Sequence, residues 1–116
     1  MKTIYVTLIA LLGLASCTAL NSTTYIKPNN SFVLGNNEHG GFSVNLQNAS
    51  NTNLSIHQAP INGGKHSTQN VKPNQRASVK VDKNTAVVIT NASNDTAAVN
   101  LKVTGDLGLS MGYKKQ

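Results

Sequence analysis

Short runs in which apolar and polar residues alternate recur along this chain, and they constrain its fold more than any other feature. Residues 42–47, 77–82 and 99–103 place an apolar side chain at every second position. A period of two is typical of antiparallel strands that bury one face and expose the other. After residue 17, no stretch repeats apolar residues at the spacing of three and four that an amphipathic helix requires. The pattern therefore predicts an all-β domain.

About seven alternating runs are separated by turns rich in glycine and asparagine, which tolerate the backbone conformations that turns require. The predicted strands are residues 31–34, 42–47, 54–58, 77–82, 87–89, 97–103 and 107–113. This number and spacing favour a small antiparallel β-sandwich of immunoglobulin-like type, with a small β-barrel as the alternative. A chain of 116 residues has room for one such domain and not two.

One sequence pattern occurs twice. Residues 44–52 and 87–95 both carry an apolar run followed by Asn-Ala-Ser-Asn, with Asn48 and Asn91 at equivalent places 43 positions apart. Another alternating run follows each copy. Asparagine and serine favour tight turns because their side chains bond to the nearby main chain. We interpret the two copies as one strand–turn–strand hairpin used twice.

The N-terminal residues have the order of a bacterial signal peptide. Lys2 precedes an apolar segment, residues 4–14, that is too short to span a bilayer core of about 30 Å. The run Leu14-Ala15-Ser16-Cys17 follows and resembles the lipobox of bacterial lipoproteins. The resemblance implies a helical signal peptide at residues 1–16 and a lipidated tether at 17–24, and the alternating runs predict a single β-sandwich domain at 25–116.

In that family the cysteine thiol carries diacylglycerol and the chain is cut before it, so Cys17 is the predicted lipid attachment site. Acyl chains, typically palmitate, anchor such proteins because each buried CH₂ contributes about 0.8 kcal/mol. Thr18 stands where inner-membrane lipoproteins of enterobacteria carry Asp, which favours the outer membrane within the cell envelope and leaves open whether the domain faces the periplasm or the cell surface. The alternative is an ordinary secretory signal cut after Ala15 or Ala19. Cys17 is the only cysteine, so no disulfide forms within the chain.

The positive charge of the chain is expected to come from scattered lysines that solvate the outward faces of strands, with an anionic partner as the alternative. Ten basic and four acidic side chains give a formal charge of +6, which falls by one when Lys2 leaves with the signal peptide. Such a balance suits nucleic acid, anionic lipid or acidic glycan. Nucleic acid is disfavoured because the exported part has few aromatic residues for base stacking. The C-terminal Tyr113-Lys114-Lys115-Gln116 is expected to be frayed, with a contact to anionic lipid or glycan as the alternative.

No catalytic set is visible in the sequence. General acid–base catalysis needs two titrating groups that converge in one cleft, and no such pair can be assembled from the spacing of the acidic residues. The carboxylates are Glu38, Asp82, Asp95 and Asp106. No glycine-flanked serine marks a nucleophile either. We therefore predict that the protein is not an enzyme and needs no cofactor.

The three histidines are His39, His57 and His66, and all three are expected to be solvated. His57 lies on the outward side of its predicted strand, and the other two lie in loops that contain glycine. Their spacing matches no metal-ligand motif. A hairpin would nevertheless bring His57 and His66 together, so this pair is the weak candidate for zinc or copper.

The residues beyond the lipobox carry no motif that identifies a further family. Asp95-Thr96-Ala97 resembles a short O-glycosylation site of some Bacteroidetes, which makes Thr96 a candidate for modification. Together, the anchor, the all-β pattern and the missing catalytic set predict a lipid-anchored, non-catalytic lipoprotein of the cell envelope. It would act as a binding or assembly accessory with a protein or glycan partner. The alternative is a surface-exposed adhesin or glycan-binding module.

Overall fold

The computed structural model describes residues 19–115, which form nine strands in two antiparallel sheets. The strands are β1 (Ala19–Ile26), β2 (Asn30–Leu34), β3 (Phe42–Asn48), β4 (Leu54–Pro60), β5 (His66–Val71), β6 (Arg76–Val81), β7 (Thr85–Asn91), β8 (Ala97–Gly105) and β9 (Met111–Lys115). The predicted signal peptide, its helix, the lipobox and Cys17 lie outside the described residues. Within residues 19–115, no helix is long and apolar enough to cross a membrane.

The two sheets pack face to face as an open sandwich. Sheet A has the order β1-β8-β3-β6, and sheet B has the order β5-β4-β7-β2-β9. The predicted all-β antiparallel sandwich is thus confirmed. The alternative of a closed barrel is not realised, because each sheet ends in two edge strands.

The strand order is that of a jelly roll, a double Greek key, and differs from the order of immunoglobulin domains. Among the nine strands, only β4 and β5 are neighbours both in sequence and in a sheet. Every other connection carries the chain from one sheet to the other. An alternating pattern shows which side of a strand is buried but not which sheet it joins, so the sequence could not distinguish the two topologies.

The two sheets are related by an approximate internal repeat. When β1–β4 are replaced by β5–β8 and the reverse, the order of sheet A becomes the order of the first four strands of sheet B. The repeated Asn-Ala-Ser-Asn pattern, which follows β3 and β7, is the part of this symmetry that is visible in the sequence. Strand β9 lies outside the repeat and extends sheet B beyond β2.

The first copy of the repeated pattern is a corner between the sheets and not a hairpin. Residues 49–53 connect β3 of sheet A to β4 of sheet B. The Asn48 side chain is fully buried, and its amide donates to the carbonyl groups of Thr52 (2.7 Å) and Val71 (2.9 Å). Its oxygen accepts from the amide (3.0 Å) and the hydroxyl (2.5 Å) of Ser50. The corner is therefore bonded to β5 of the opposite sheet.

The second copy repeats this arrangement with the sheets exchanged. Asn91, also fully buried, ends β7 of sheet B and donates to the carbonyl groups of Ile26 in β1 (2.9 Å) and Asp95 (2.7 Å). Its oxygen accepts from the amide and the hydroxyl of Ser93. The prediction of one device used twice was right about the turn chemistry and wrong about the hairpins.

The inward faces of the strands form one continuous apolar core. Its largest fully buried side chains include Ile26, Leu34, Leu54, Ile56 and Ile89, which come from both sheets. Apart from Ile26, which lies in β1, these positions belong to the predicted apolar runs. Among the described residues, every buried side-chain nitrogen and oxygen has a hydrogen-bond partner.

Two strands were not predicted, and both are polar edge strands. Residues 19–24, assigned to a tether by the sequence, belong to β1 and pair with β8. Residues 66–71, assigned to a loop, form β5, in which only Val71 is buried. An edge strand that buries little side chain needs no apolar alternation, because its backbone hydrogen bonds alone hold it to the sheet.

The strands run between two ends of the sandwich. The start of β1 and the loops 35–41, 61–65, 82–84 and 106–110 lie at one end, which we call the His39 end. The loops 27–29, 49–53, 72–75 and 92–96 lie at the other, which we call the Asn48 end.

Candidate functional site

The outer faces of the two sheets differ in the size of their side chains. Sheet A presents long amide and cationic groups, such as Asn45, Gln47, Arg76, Asn100 and Lys102. Sheet B presents serine, alanine, valine and threonine across its three central strands. The small side chains leave a cleft of about 770 Å³. The cleft, called the sheet B cleft below, is lined by Ser31, Val33, Asn36, Ser55, His57, Ala59, Gly64, Lys65, Thr68, Ala86, Val88, Thr90, Ala92, Lys114 and Lys115.

A polar row of side chains crosses the outer face of sheet B, and all but one of its members line the cleft. The strand register places Asn70, Ser55, Thr90, Ser31 and Lys114 side by side, from β5 to β9. The hydroxyl groups of Ser31 and Thr90 are 2.8 Å apart and share a hydrogen bond. Five strands about 4.8 Å apart make this row about 19 Å long.

An apolar row lies next to the polar row, nearer the His39 end. Its apolar centre is Val88 and Val33, whose methyl groups the register places between His57 of β4 and Gly112 of β9. A ligand that lies across the sheet would therefore meet hydroxyl groups along one side and methyl groups along the other. This suits an extended molecule with both hydroxyl groups and C–H surface.

His57 is the titratable group on the floor of the cleft, and cations flank it. Burial, followed by the positive charges of Lys65 and Lys114, lowers the pKa of the His57 imidazole below its usual 6.5. Lys65 belongs to the β4–β5 loop and Lys114 to β9. The two lysines therefore approach His57 on the same face of sheet B, from its two opposite edges. The imidazole is thus neutral at pH 7 and can donate one hydrogen bond and accept another.

Within residues 19–115, no acidic side chain compensates these charges in the cleft. The four acidic side chains of the chain are Glu38, Asp82, Asp95 and Asp106, and none of them lines it. Lys65, Lys114 and Lys115 therefore create a positive potential over a floor of uncharged groups. An anionic group placed between Lys65 and Lys114 would relieve their mutual repulsion and would also favour protonation of His57.

The predicted pair of His57 and His66 lies in the one hairpin among the described strands. β4 and β5 pair as expected, but Gln58 and not His57 is the register partner of His66. The exposed His66 ring lies 2.8 Å from the hydroxyl of Ser67. Within residues 19–115, no three histidine, cysteine, aspartate or glutamate side chains are grouped as metal ligands. The metal candidate stays a prediction without a third ligand in the described region.

His39 was expected to be solvated, and the structure shows it buried at 9% exposure. Its two ring nitrogens lie against the carbonyl oxygens of Gly40 (2.5 Å) and Thr85 (2.9 Å), and its ring packs edge-on against Phe42 at 5.0 Å. His39 therefore belongs to the packing between the 35–41 loop and β7. The Gly-rich flanking sequence concealed this, because glycines give no sign of what packs on a loop.

Lys114 and Lys115 also depart from the expectation of a frayed C-terminus. They belong to β9, which pairs with β2 along residues 111–115. Sequence reasoning named them only as a possible contact for anionic lipid or glycan and did not single out Lys65. The signal that could have found the site is the run of small residues in β7, where Ala86, Val88 and Thr90 alternate with core residues.

The strand order and the site together define a small jelly-roll domain that carries the basic sheet B cleft on the outer face of one sheet. Among solved structures, the chain is similar to the Yersinia pseudotuberculosis-derived mitogen, with a TM-score of 0.51 and 16% sequence identity. The similarity covers 75% of this chain and 85% of that protein, and at this identity it shows the fold alone. No protein-family model matches the chain, and no curated protein matches it either.

Proposed function

We propose that the protein is a lipid-anchored, non-catalytic lipoprotein of the cell envelope whose jelly-roll domain binds an acidic glycan in the sheet B cleft. The observation that carries this proposal is the placement of Lys65 and Lys114 on either side of His57, above a floor of small hydroxyl and methyl side chains. The same observation favours a glycan partner over a protein partner for this surface.

An acidic glycan combines the three features that the cleft provides for. Its anionic groups suit the lysines, its hydroxyl groups suit the polar row, and the C–H faces of its sugar rings suit the apolar row. The length of the polar row, about 19 Å, spans several sugar units. Lipid head groups offer the charge without the extended hydroxyl-bearing chain.

The membrane anchor is supported by the sequence of the first 17 residues. An apolar segment followed by Leu14-Ala15-Ser16-Cys17 is similar to the lipobox, and lipid on Cys17 would hold the domain on a membrane. The outer membrane is the proposed location, on the basis of Thr18. Replacing Cys17→Ala should abolish incorporation of an alkyne-labelled palmitate and move the protein from the membrane fraction to the soluble fraction.

The start of β1 gives the anchored domain an orientation. Only one residue separates Cys17 from Ala19, the first residue of β1, and two residue steps reach about 7 Å at most. A lipidated Cys17 would therefore hold the His39 end of the sandwich against the head groups. The strands would then run roughly perpendicular to the membrane. The sheet B cleft would face sideways, where a polymer could reach it.

Polyanion binding by purified full-length protein in detergent tests the proposed site. The probes are polygalacturonate, dextran sulfate and uncharged dextran, and the readout is the change in intrinsic tyrosine fluorescence or an immobilised-glycan assay. We expect saturable binding of the charged probes only. The double variant Lys65→Gln/Lys114→Gln should weaken it at least tenfold, because two charges beside His57 are lost.

A matched variant distinguishes the cleft from a general effect of net charge. Lys80→Gln/Lys102→Gln removes the same number of positive charges, two, but from sheet A, whose outer face is filled by long side chains. Its affinity should stay within about twofold of the unmodified protein in equal salt. An equal loss in both double variants, or no binding of either charged probe, would rule out the cleft as the glycan site.

A further inference from the structure

Sheet B has one strand more than sheet A, and the extra strand is β9. It pairs with β2 so that Met111 and Tyr113 lie opposite Leu34 and Phe32, whose side chains are buried in the core. Cross-strand partners share a face of the sheet, so Met111 and Tyr113 also point to the inner side. They are nevertheless 49% and 59% exposed. Among the described strands, none of sheet A lies opposite them.

The place opposite β9 adjoins the edge of β1 that pairs with no other strand of residues 19–115, called the free edge below. In a sandwich with facing orders β1-β8-β3-β6 and β2-β7-β4-β5, β1 lies opposite β2, and a strand added beside β1 would lie opposite β9. A cavity of about 290 Å³ lies at the Asn48 end of this place, where it is lined by Tyr25, Lys27, Asn30 and Tyr113. Met111 lies farther along β9 and does not line it. The cavity therefore joins the end of β1 to one of the two exposed side chains of β9.

The edge of β1 also lacks the features that usually prevent strand addition. Natural edge strands carry charged residues, bulges or very short lengths. β6 carries Arg76 and Lys80, β9 is five residues long and ends in two lysines, and β5 has an irregular register against β4. β1 has eight residues, pairs regularly with β8 along its whole length and carries no charge.

We propose that the free edge of β1 accepts an extended segment of a partner protein as a fifth strand of sheet A. All strand pairs within residues 19–115 are antiparallel, and we assign the same direction to the added segment, antiparallel to β1. Its inward side chains are apolar, because they cover Met111 and Tyr113 of β9. Its N-terminal residues are acidic, because they lie beside Lys27. Such β-augmentation is an established mode of peptide recognition, and here it is separate from the glycan site on the outer face of sheet B.

A designed peptide tests this edge on purified full-length protein in detergent. The probe is a fluorescent twelve-residue peptide with two N-terminal Asp residues followed by alternating Val and Thr, and anisotropy measures its binding. We expect saturable binding that slows amide exchange in residues 19–26 and leaves exchange in residues 76–81 unchanged. A peptide of the same composition with both Asp residues at the C-terminus should bind several-fold more weakly.

Two variants block the place beside β1 and opposite β9, each from a different strand. Ser22→Lys places an inward-pointing charge on β1, and Met111→Lys places one on β9; both positions are exposed. Each should weaken peptide binding at least tenfold. Gln69→Lys, at an exposed position of the edge strand β5, is the matched control and should leave the affinity within twofold. Circular dichroism confirms that each variant is folded, and either blocking variant alone is sufficient for the test.

Three outcomes would overturn the proposal. The unmodified protein fails to bind the peptide saturably, all three lysine variants weaken binding equally, or the protein is a dimer that Ser22→Lys separates into monomers. In the last case a second copy of this chain occupies the edge, and no foreign segment is needed.

Discussion

At the scale of single residues, two asparagines make the same contacts at the two corners where the chain crosses between the sheets. Asn48 and Asn91 each use a buried side-chain amide to join the turn that follows them to the last residues of an edge strand in the opposite sheet. Aspartate would keep the shape but replace the donor with a second acceptor facing a carbonyl oxygen. Asparagine is therefore required by the hydrogen-bond pattern and not only by the turn.

Removing either asparagine should destabilise the whole domain. Asn91→Ala leaves the carbonyl of Ile26 without its side-chain donor and removes the acceptor for Ser93. We expect a loss of about 2–3 kcal/mol in the free energy of unfolding for Asn91→Ala and for Asn48→Ala, measured by urea denaturation followed by circular dichroism. Asn94→Ala, at an exposed position of the same turn, should change it by less than about 0.5 kcal/mol. Equal effects of Asn91→Ala and Asn94→Ala would contradict this role.

His57 should make glycan binding dependent on pH. The pKa of the imidazole is lowered in the free protein, so most of the imidazole becomes positively charged only at a pH below the usual histidine pKa of 6.5. A bound polyanion favours the charged form and raises the pKa of His57, and affinity must then rise as pH falls from about 7 to about 5. Titration of the imidazole by NMR with and without dextran sulfate measures this shift.

The same pH series with two variants assigns the effect to a residue. His57→Gln should flatten the pH dependence while the lysines still support binding, and His66→Gln should leave it unchanged. A His57→Gln profile that overlies that of the unmodified protein would exclude His57 from the site. The stability of the fold should also depend on pH through His57. The folded state disfavours the charged imidazolium, so the stabilisation from keeping His57 neutral is present above pH 6.5 and is lost as pH falls through the lowered pKa.

At the scale of elements, the loops of the His39 end are fastened to one another. The Asp106 carboxylate accepts hydrogen bonds from the amides of Gly40 (2.6 Å) and Gly108 (2.8 Å), and these two bonds lower its pKa below the usual 3.8. The Asn37 side chain also bonds to the 106–110 loop, through the carbonyl of Gly108 and the amide of Ser110. The loop before β3 and the loop before β9 therefore form one ordered surface.

Loss of the Asp106 charge should loosen this surface without unfolding the sandwich. In Asp106→Asn one oxygen acceptor remains, so amide exchange at Gly40 and Gly108 should become faster while the thermal midpoint changes little. Acidification should reproduce the effect: the bonds are present above the usual pKa of 3.8 and are lost as pH falls through the lowered pKa. Asp82→Asn is the control, and exchange at Gly40 that is unaffected by Asp106→Asn would contradict this account.

At the scale of the whole molecule, the proposed lipid on Cys17 and the position of β1 determine which end faces the membrane. The sequence predicted a tether of eight residues, but β1 begins at Ala19 and leaves no long flexible spacer before the domain. The His39 end, with its fastened loops, would meet the head groups. The Asn48 end, with the glycosylation candidate Thr96 exposed in its 92–96 loop, would face away.

Fluorescence quenching in lipid vesicles tests this orientation. A fluorophore on Asn62→Cys, in the 61–65 loop of the His39 end, should be quenched by nitroxide-labelled head groups several-fold more than one on Asn94→Cys, at the Asn48 end. Both positions are exposed. The Cys17→Ala forms, which lack the anchor, should show no quenching at either site. Stronger quenching at residue 94 would show that the domain is inverted.

Several features of this protein could be determined from its sequence alone. The apolar runs identified seven of the nine strands and the all-β class, because one buried face imposes a period of two on the side chains. The repeated Asn-Ala-Ser-Asn pattern identified both turns, since the bonds from each serine to its asparagine are local. It did not reveal the long-range bonds to Val71 and Ile26, which make the turns corners between the sheets. The resemblance of residues 14–17 to a lipobox also led to a prediction from a short stretch of sequence, that of a lipid anchor on Cys17.

Only the tertiary structure decided which strands became neighbours. Pairing depends on backbone hydrogen bonds, which have the same chemistry in every residue, so the sequence did not distinguish a jelly roll from an immunoglobulin-like sandwich. The polar edge strands β1 and β5 were missed for the same reason. The sheet B cleft also depends on pairing, because Lys65, His57 and Lys114 come from separate elements that approach one another only when β4, β7, β2 and β9 lie side by side.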